Sequence, residues 1–210
     1  MANSIEPVLR KSNVGRVLNK IATRAATPIS CTQLVVFRIG FGLLCAAEIL
    51  MEWSARKSWV EDRPIHFPHL GFEWLGLLPE GWGVPFLCAQ LVFCLGIATG
   101  CCYRASSSCF ALAYAWMLLV DRPYFNNHFY LIVLLSAWFA ICNANCHFAV
   151  DAWVNPRRRA TCLPAWQLYG IIAQLGIVYF FGGLAKVNQD WLRGEPMHFF
   201  LMGVADHPIL

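Results

Sequence analysis

Charged side chains are scarce in this chain: 13% of its residues are Asp, Glu, Lys or Arg, while 58% are apolar and the mean hydropathy is +0.52. Soluble domains carry about twice that charge, and nine Trp and fifteen Phe in uncharged runs would leave large apolar patches in water. A soluble globular fold is therefore excluded. The chain also lacks any CxxC, which excludes the dithiol exchange of a quinone-epoxide reductase. Cys142 and Cys146 before His147 stand one residue too far apart for haem attachment. Only six His are present, too few for the clusters of a metal-dependent membrane oxygenase, so His66 and His69 read as loop residues and no metal is expected. No internal repeat or pair of broken spans supports a transport pathway. A secretory apolar region at the start is missing too.

What is present is a series of apolar runs, which predicts an all-α, polytopic membrane helical bundle. Five spans are expected at about 34–51, 84–102, 108–120, 129–150 and 164–186. Most approach the roughly 20 residues that a helix needs to cross the hydrocarbon. The third is short, with Ser106 and Ser107 able to extend it. Residues 1–30 form a basic segment in which Val14, Val17, Leu18 and Ile21 follow helical spacing, as in an amphipathic helix lying on a membrane surface. Residues 31–210 form the transmembrane domain. Between the first two spans, HLGFEWLGLLPEGW reads as a short interfacial helix stopped by Pro79, with aromatic rings at headgroup depth. Most cysteines fall inside the spans, where a thiol is a small hydrophobe.

Charge placement sets an expected orientation. Arg10, Lys11, Arg16, Lys20 and Arg24 precede the first span, and with Arg104 and Arg157, Arg158 and Arg159 they put nine basic residues on the N-terminal side, against six on the other. That excess places the N-terminus in the cytoplasm and needs no nucleic acid to explain it; the expected partner is the lipid bilayer. Arg38 and Glu48 lie within the first span. Charges at such depth turn inward and pair. Ten residues of helix separate these two too widely to meet, so each is expected to take a structural partner on another helix.

The fifth span ends in VYFFGGLAKVNQDW. Lys186 there either snorkels toward the headgroups or, with Gly182 and Gly183 admitting close backbones, is held dry and acts as a base. Five spans put His128 on the same membrane face as Lys186. Asn126 and Asn127 beside it offer hydrogen bonds to a ligand, although Asn at that position is also a favoured helix cap. Lys186 and Asp190 stand four apart, as in an ordinary helix-surface pair.

Several segments, in order, resemble one family. VFRIGFG, FPHLGFEWLGLLPEGW, LGIATGCCYR, NNHFYL, NANCHFAVDAW and VYFFGGLAKVNQDW, followed by Gly194 and Met197, are similar to the vitamin K-dependent gamma-carboxylases and their relatives with the horizontally transferred transmembrane (HTTM) domain. The resemblance implies that Lys186 is the base that deprotonates vitamin K hydroquinone and that His128 supports carboxylation. It implies that the hydroquinone reacts with oxygen to give a strong base. That base removes the gamma proton of a glutamate in a protein or peptide substrate; the carbanion takes up carbon dioxide and the quinone leaves as its epoxide. Such a site faces the lumenal or periplasmic side. Two departures stand out. Ala185 occupies the position before the base where relatives often have a second lysine, and the carboxylases continue beyond the point matching Leu210 with further spans and an outer domain. The alternative expectation is a truncated or non-catalytic member of the family, acting as a structural or partner-binding bundle.

Overall fold

The computed structural model describes residues 13–61 and 66–205; Arg10, Lys11 and Arg63, which entered the charge count, lie outside them. The chain is mostly helical and falls into two compact units, Met1–Ile171 and Ile172–Leu210.

In the first unit α1 (Asn13–Ala26) covers the basic segment, and Val17 and Ile21 on it are exposed. It leads through β1 (Pro28–Ser30) into α2 (Thr32–Met51), followed by α3 (Trp53–Val60), α4 (Gly83–Thr99), α5 (Tyr103–Val120) and α6 (Asn127–Ile141). After α7 (Val150–Val154), β2 (Cys162–Pro164) pairs antiparallel with β1, Ile29 opposite Leu163. Then comes α8 (Trp166–Ala185), whose later part enters the second unit with α9 (Gln189–Leu192) and α10 (Glu195–Ala205). Two of these helices, α2 and α8, are long and apolar enough to cross a membrane; α4 and α6 are shorter apolar helices.

Burial follows helical spacing. On α2 the buried positions are Leu34, Val35, Arg38, Phe41, Gly42, Cys45, Ala46 and Ile49, a stripe at intervals of three and four. It meets α4 so closely that a Cβ at Gly42 would stand 2.7 Å from both Ala98 N and Cys94 O. Phe41, Phe139 and Tyr103 fill the space among α2, α5 and α6, with Phe139 centred 5.3 Å from Phe41 and 6.4 Å from Tyr103.

Two expected elements differ. The run at 129–150 is helical only through Ile141. Beyond it the Asn143 N–H donates to Gln167 Oε1 (2.8 Å), so a side chain of α8 satisfies the backbone that another turn of helix would have used. Asn145 and Asp151 then hold the following segment as a turn, with Phe148 at φ 45°. The expected interfacial helix at 69–82 is absent: these residues form isolated turns, with Gly71 and Gly81 at φ 84° and 87°, conformations a helix does not admit. The third run, by contrast, gains from its small residues, and α5 starts at Tyr103 with Ser106 and Ser107 buried.

Candidate functional site

At the end of the first unit where α2 finishes and α6 begins, Asn126 adopts an extended backbone and caps α6. Its Oδ1 accepts from the His128 N–H at 3.0 Å and faces His128 Nδ1 at 2.6 Å. The amide oxygen is an acceptor only, so the contact favours the tautomer with the proton on Nδ1. The side chains of Asn127 and His128 are exposed. Asn126 thus takes the capping role, and orients the imidazole as well.

The residue after His128 belongs to a second cluster. Phe129 lies 5.1 Å from the guanidinium carbon of Arg56, which also sits 5.1 Å from the ring of Tyr114 and 5.9 Å from that of Trp59. Arg56 is wholly buried, pairs with Glu48 and donates to Tyr114 Oη at 2.7 Å. Burial draws its pKa down, but Tyr114 and Glu48 more than offset this, and the guanidinium stays charged. Glu48 therefore has its partner on another helix, as its depth required. Nothing in the spacing of single residues singled out Arg56; the signal was an arginine within a turn of Trp59, eight residues after the carboxylate of Glu48.

Across the other end of the unit, Arg38 is fully buried and donates from Nη2 to Phe148 O at 2.6 Å, while its Nε and Nη1 find no hydrogen-bond partner among the described residues. Nη1 occupies the place a Cβ at Gly100 would take, and Gly100, at φ 68°, ends α4. Asp151 nearby accepts three hydrogen bonds: from Cys102 N (2.9 Å), Tyr103 N (3.1 Å) and Asn145 Nδ2 (2.8 Å). Arg38 and Glu48 thus serve opposite ends of the helix stack.

Lys186 belongs to the second unit. Within that unit it is exposed, with Nζ 4.9 Å from the centre of the Trp191 ring. Within that unit nothing lies within 4 Å of a Cβ at Gly182 or Gly183. The expected Lys186–Asp190 pair is replaced by the ring contact, because Asn188 caps α9 through its bond to Trp191 N (3.0 Å) and turns the indole toward the amine. Exposed Phe180, Phe181, Leu184 and Val187 surround this amine along the chain. All ten cysteines are free thiols, and among the described residues no three acidic, His or Cys side chains gather as metal ligands.

Compared with known protein families, the sequence matches the HTTM domain over residues 26–210. No solved structure matches the chain.

Proposed function

Because the chain belongs to the HTTM domain family, we propose that it is a polytopic membrane enzyme of the vitamin K-dependent gamma-carboxylase kind. In it Lys186 is the base toward vitamin K hydroquinone and His128 assists carboxylation of a peptide glutamate. The observation that carries this reading is the reach of the match, which contains Asn126, Asn127, His128 and Lys186 in one family domain. Helices α2, α4, α5, α6 and α8 would then be the five spans, with the N-terminus cytoplasmic and both reactive side chains on the lumenal or periplasmic face. At ~1.5 Å per residue, the 15 residues of α6 fall short of the hydrocarbon thickness, so the bilayer thins around them.

The side chains near Lys186 suit an aromatic, lipid-borne ligand in kind. The Trp191 ring and the exposed Phe180, Phe181 and Leu184 offer stacking and apolar surface to a quinone ring and tail. When bound, the hydroquinone supplies the electrons that consume oxygen and the strong base that takes the glutamate gamma proton. Lys186 accepts the hydroquinone hydroxyl proton at Nζ, which requires a neutral amine. The Trp191 ring attracts an ammonium, so that contact is broken for the reaction. His128, its Nδ1–H held by Asn126, presents Nε2 as the acceptor.

The exposure of Lys186 within its own unit favours a second reading, a non-catalytic bundle of the same family that binds a partner. Quinol epoxidation by the membrane-embedded chain separates the two. Under the enzyme reading Lys186→Ala abolishes epoxidation with insertion intact, and Lys186→Arg fails as well because guanidinium stays protonated. Equal turnover by wild type and both variants discards the base role.

A further inference from the structure

The Asn143–Cys146 turn and the arginine loop enclose a cavity of about 250 Å³, lined among others by Asn143, Asn145, Arg157, Arg158 and Leu163. We propose that it is a binding site for a phosphate group, carried either by an anionic lipid or by a free phosphate.

The walls are built rather than loose. Arg157 and Arg158 lie on a short 3-10 turn opened by Pro156, whose start is closed by Asn155 Oδ1 accepting from Arg157 N at 3.2 Å. Arg159 ties the far end to Ala152 O (3.0 Å), and the next residues enter β2, clamped to β1. Leu163 on that strand forms the apolar floor.

Arg157 and Arg158 are exposed, and no described acidic residue lines the cavity. Among the described residues no carboxylate lies within ion-pair distance of Arg157 or Arg158. The acid closest in the chain, Asp151, is occupied by three N–H donors. Asn143 Oδ1 is taken by Arg104 Nη2 at 2.8 Å, which leaves the Asn143 amide N–H groups to donate. Two guanidinium forks and an amide donor suit a tetrahedral oxyanion, which Arg binds bidentately. A volume below the roughly 300–1,000 Å³ of drug-sized ligand sites suits a headgroup or inorganic phosphate. Retention of positive charge on one side of a membrane would account for the arginines; it would not account for a cavity between them and two asparagines.

The test uses the full chain in phosphatidylcholine nanodiscs. Phosphatidylglycerol is titrated in one arm, read by native mass spectrometry. Sodium phosphate is titrated against sodium chloride at equal ionic strength in the other, read by thermal shift. Arg157→Gln with Arg158→Gln removes the charge, and Ala160→Trp fills the cavity while keeping it. Lys20→Gln with Arg24→Gln removes two charges of the same sign from α1. The structure predicts that the double arginine variant binds about thirtyfold more weakly, that Ala160→Trp also loses binding, and that the α1 variant keeps it. Binding in the first arm alone assigns the lipid source, and in the second alone the free anion. Binding in neither arm, equal loss in the α1 variant, or unchanged binding in Ala160→Trp or the arginine pair overturns the site.

Discussion

Arg56 on α3 and Glu48 on α2 form an ion pair whose two halves are unequally hidden: the guanidinium side chain is 0% exposed and the carboxylate side chain 30%. Tyr114 Oη bridges them, accepting from Arg56 at 2.7 Å and donating to Glu48 at 3.3 Å. The asymmetry decides what each deletion costs. Glu48→Gln strands a buried cation, whereas Arg56→Met leaves a carboxylate that still reaches solvent or headgroups. We expect Glu48→Gln to cost about 3–5 kcal/mol, the range for breaking a buried pair, and Arg56→Met less. Thermal unfolding of the two single variants and the double checks this; strictly additive losses would show that the pair is not coupled.

Gly42 predicts a steric limit between α2 and α4. A side chain there meets Ala98 N and Cys94 O, which are backbone and do not yield. Gly42→Leu is therefore expected to cost at least ~1–3 kcal/mol through overpacking. Gly40→Ala, with nothing within 4 Å, is expected to be neutral or stabilising. Chemical or thermal unfolding in detergent gives the comparison, and equal effects of the two would refute the close approach.

Asn126 and Asn127 should separate cleanly. Asn126→Ala removes the cap of α6 and is expected to cost about 1 kcal/mol and to release the His128 ring. Asn127→Ala changes an exposed side chain and should leave stability alone. If Asn127→Ala nevertheless lowers quinol turnover, its amide meets a ligand; if neither variant alters turnover, the asparagines are structural only.

The cysteines report both burial and topology. Cys31, Cys45, Cys94, Cys142 and Cys146 are buried and should resist a maleimide at neutral pH. For Cys146, burial and the neighbouring Cys31 push the thiol pKa up, which disfavours the reactive thiolate. Cys101, Cys102 and Cys162 are exposed around one end of the first unit, and an impermeant maleimide should label all three from one side of the membrane. Labelling of Cys101 and Cys162 from opposite sides would break the proposed topology.

Much of the helical layout was legible because an apolar stripe at intervals of three and four survives in the sequence whatever the helix packs against; α2 and α5 follow it closely. The end of α6 was not legible. Residues 142–150 are as uncharged as the helix before them, and only Gln167, 24 residues from Asn143, diverts the backbone. The interfacial helix failed for a local reason that composition did contain: two glycines with positive φ outweigh a plausible run of aromatics.

By itself, the sequence determined that this chain is built from apolar helices, that it belongs with the HTTM domains, and that Arg38 and Glu48 could not satisfy one another, since rise per residue and side-chain chemistry act locally. Tertiary structure alone decided that Glu48 meets Arg56 inside an aromatic cage, that Asp151 ties off the start of α5, and that two arginines border a cavity with two asparagines. Those outcomes depend on which helix faces bring distant residues within hydrogen-bond reach, and no spacing along the chain records that.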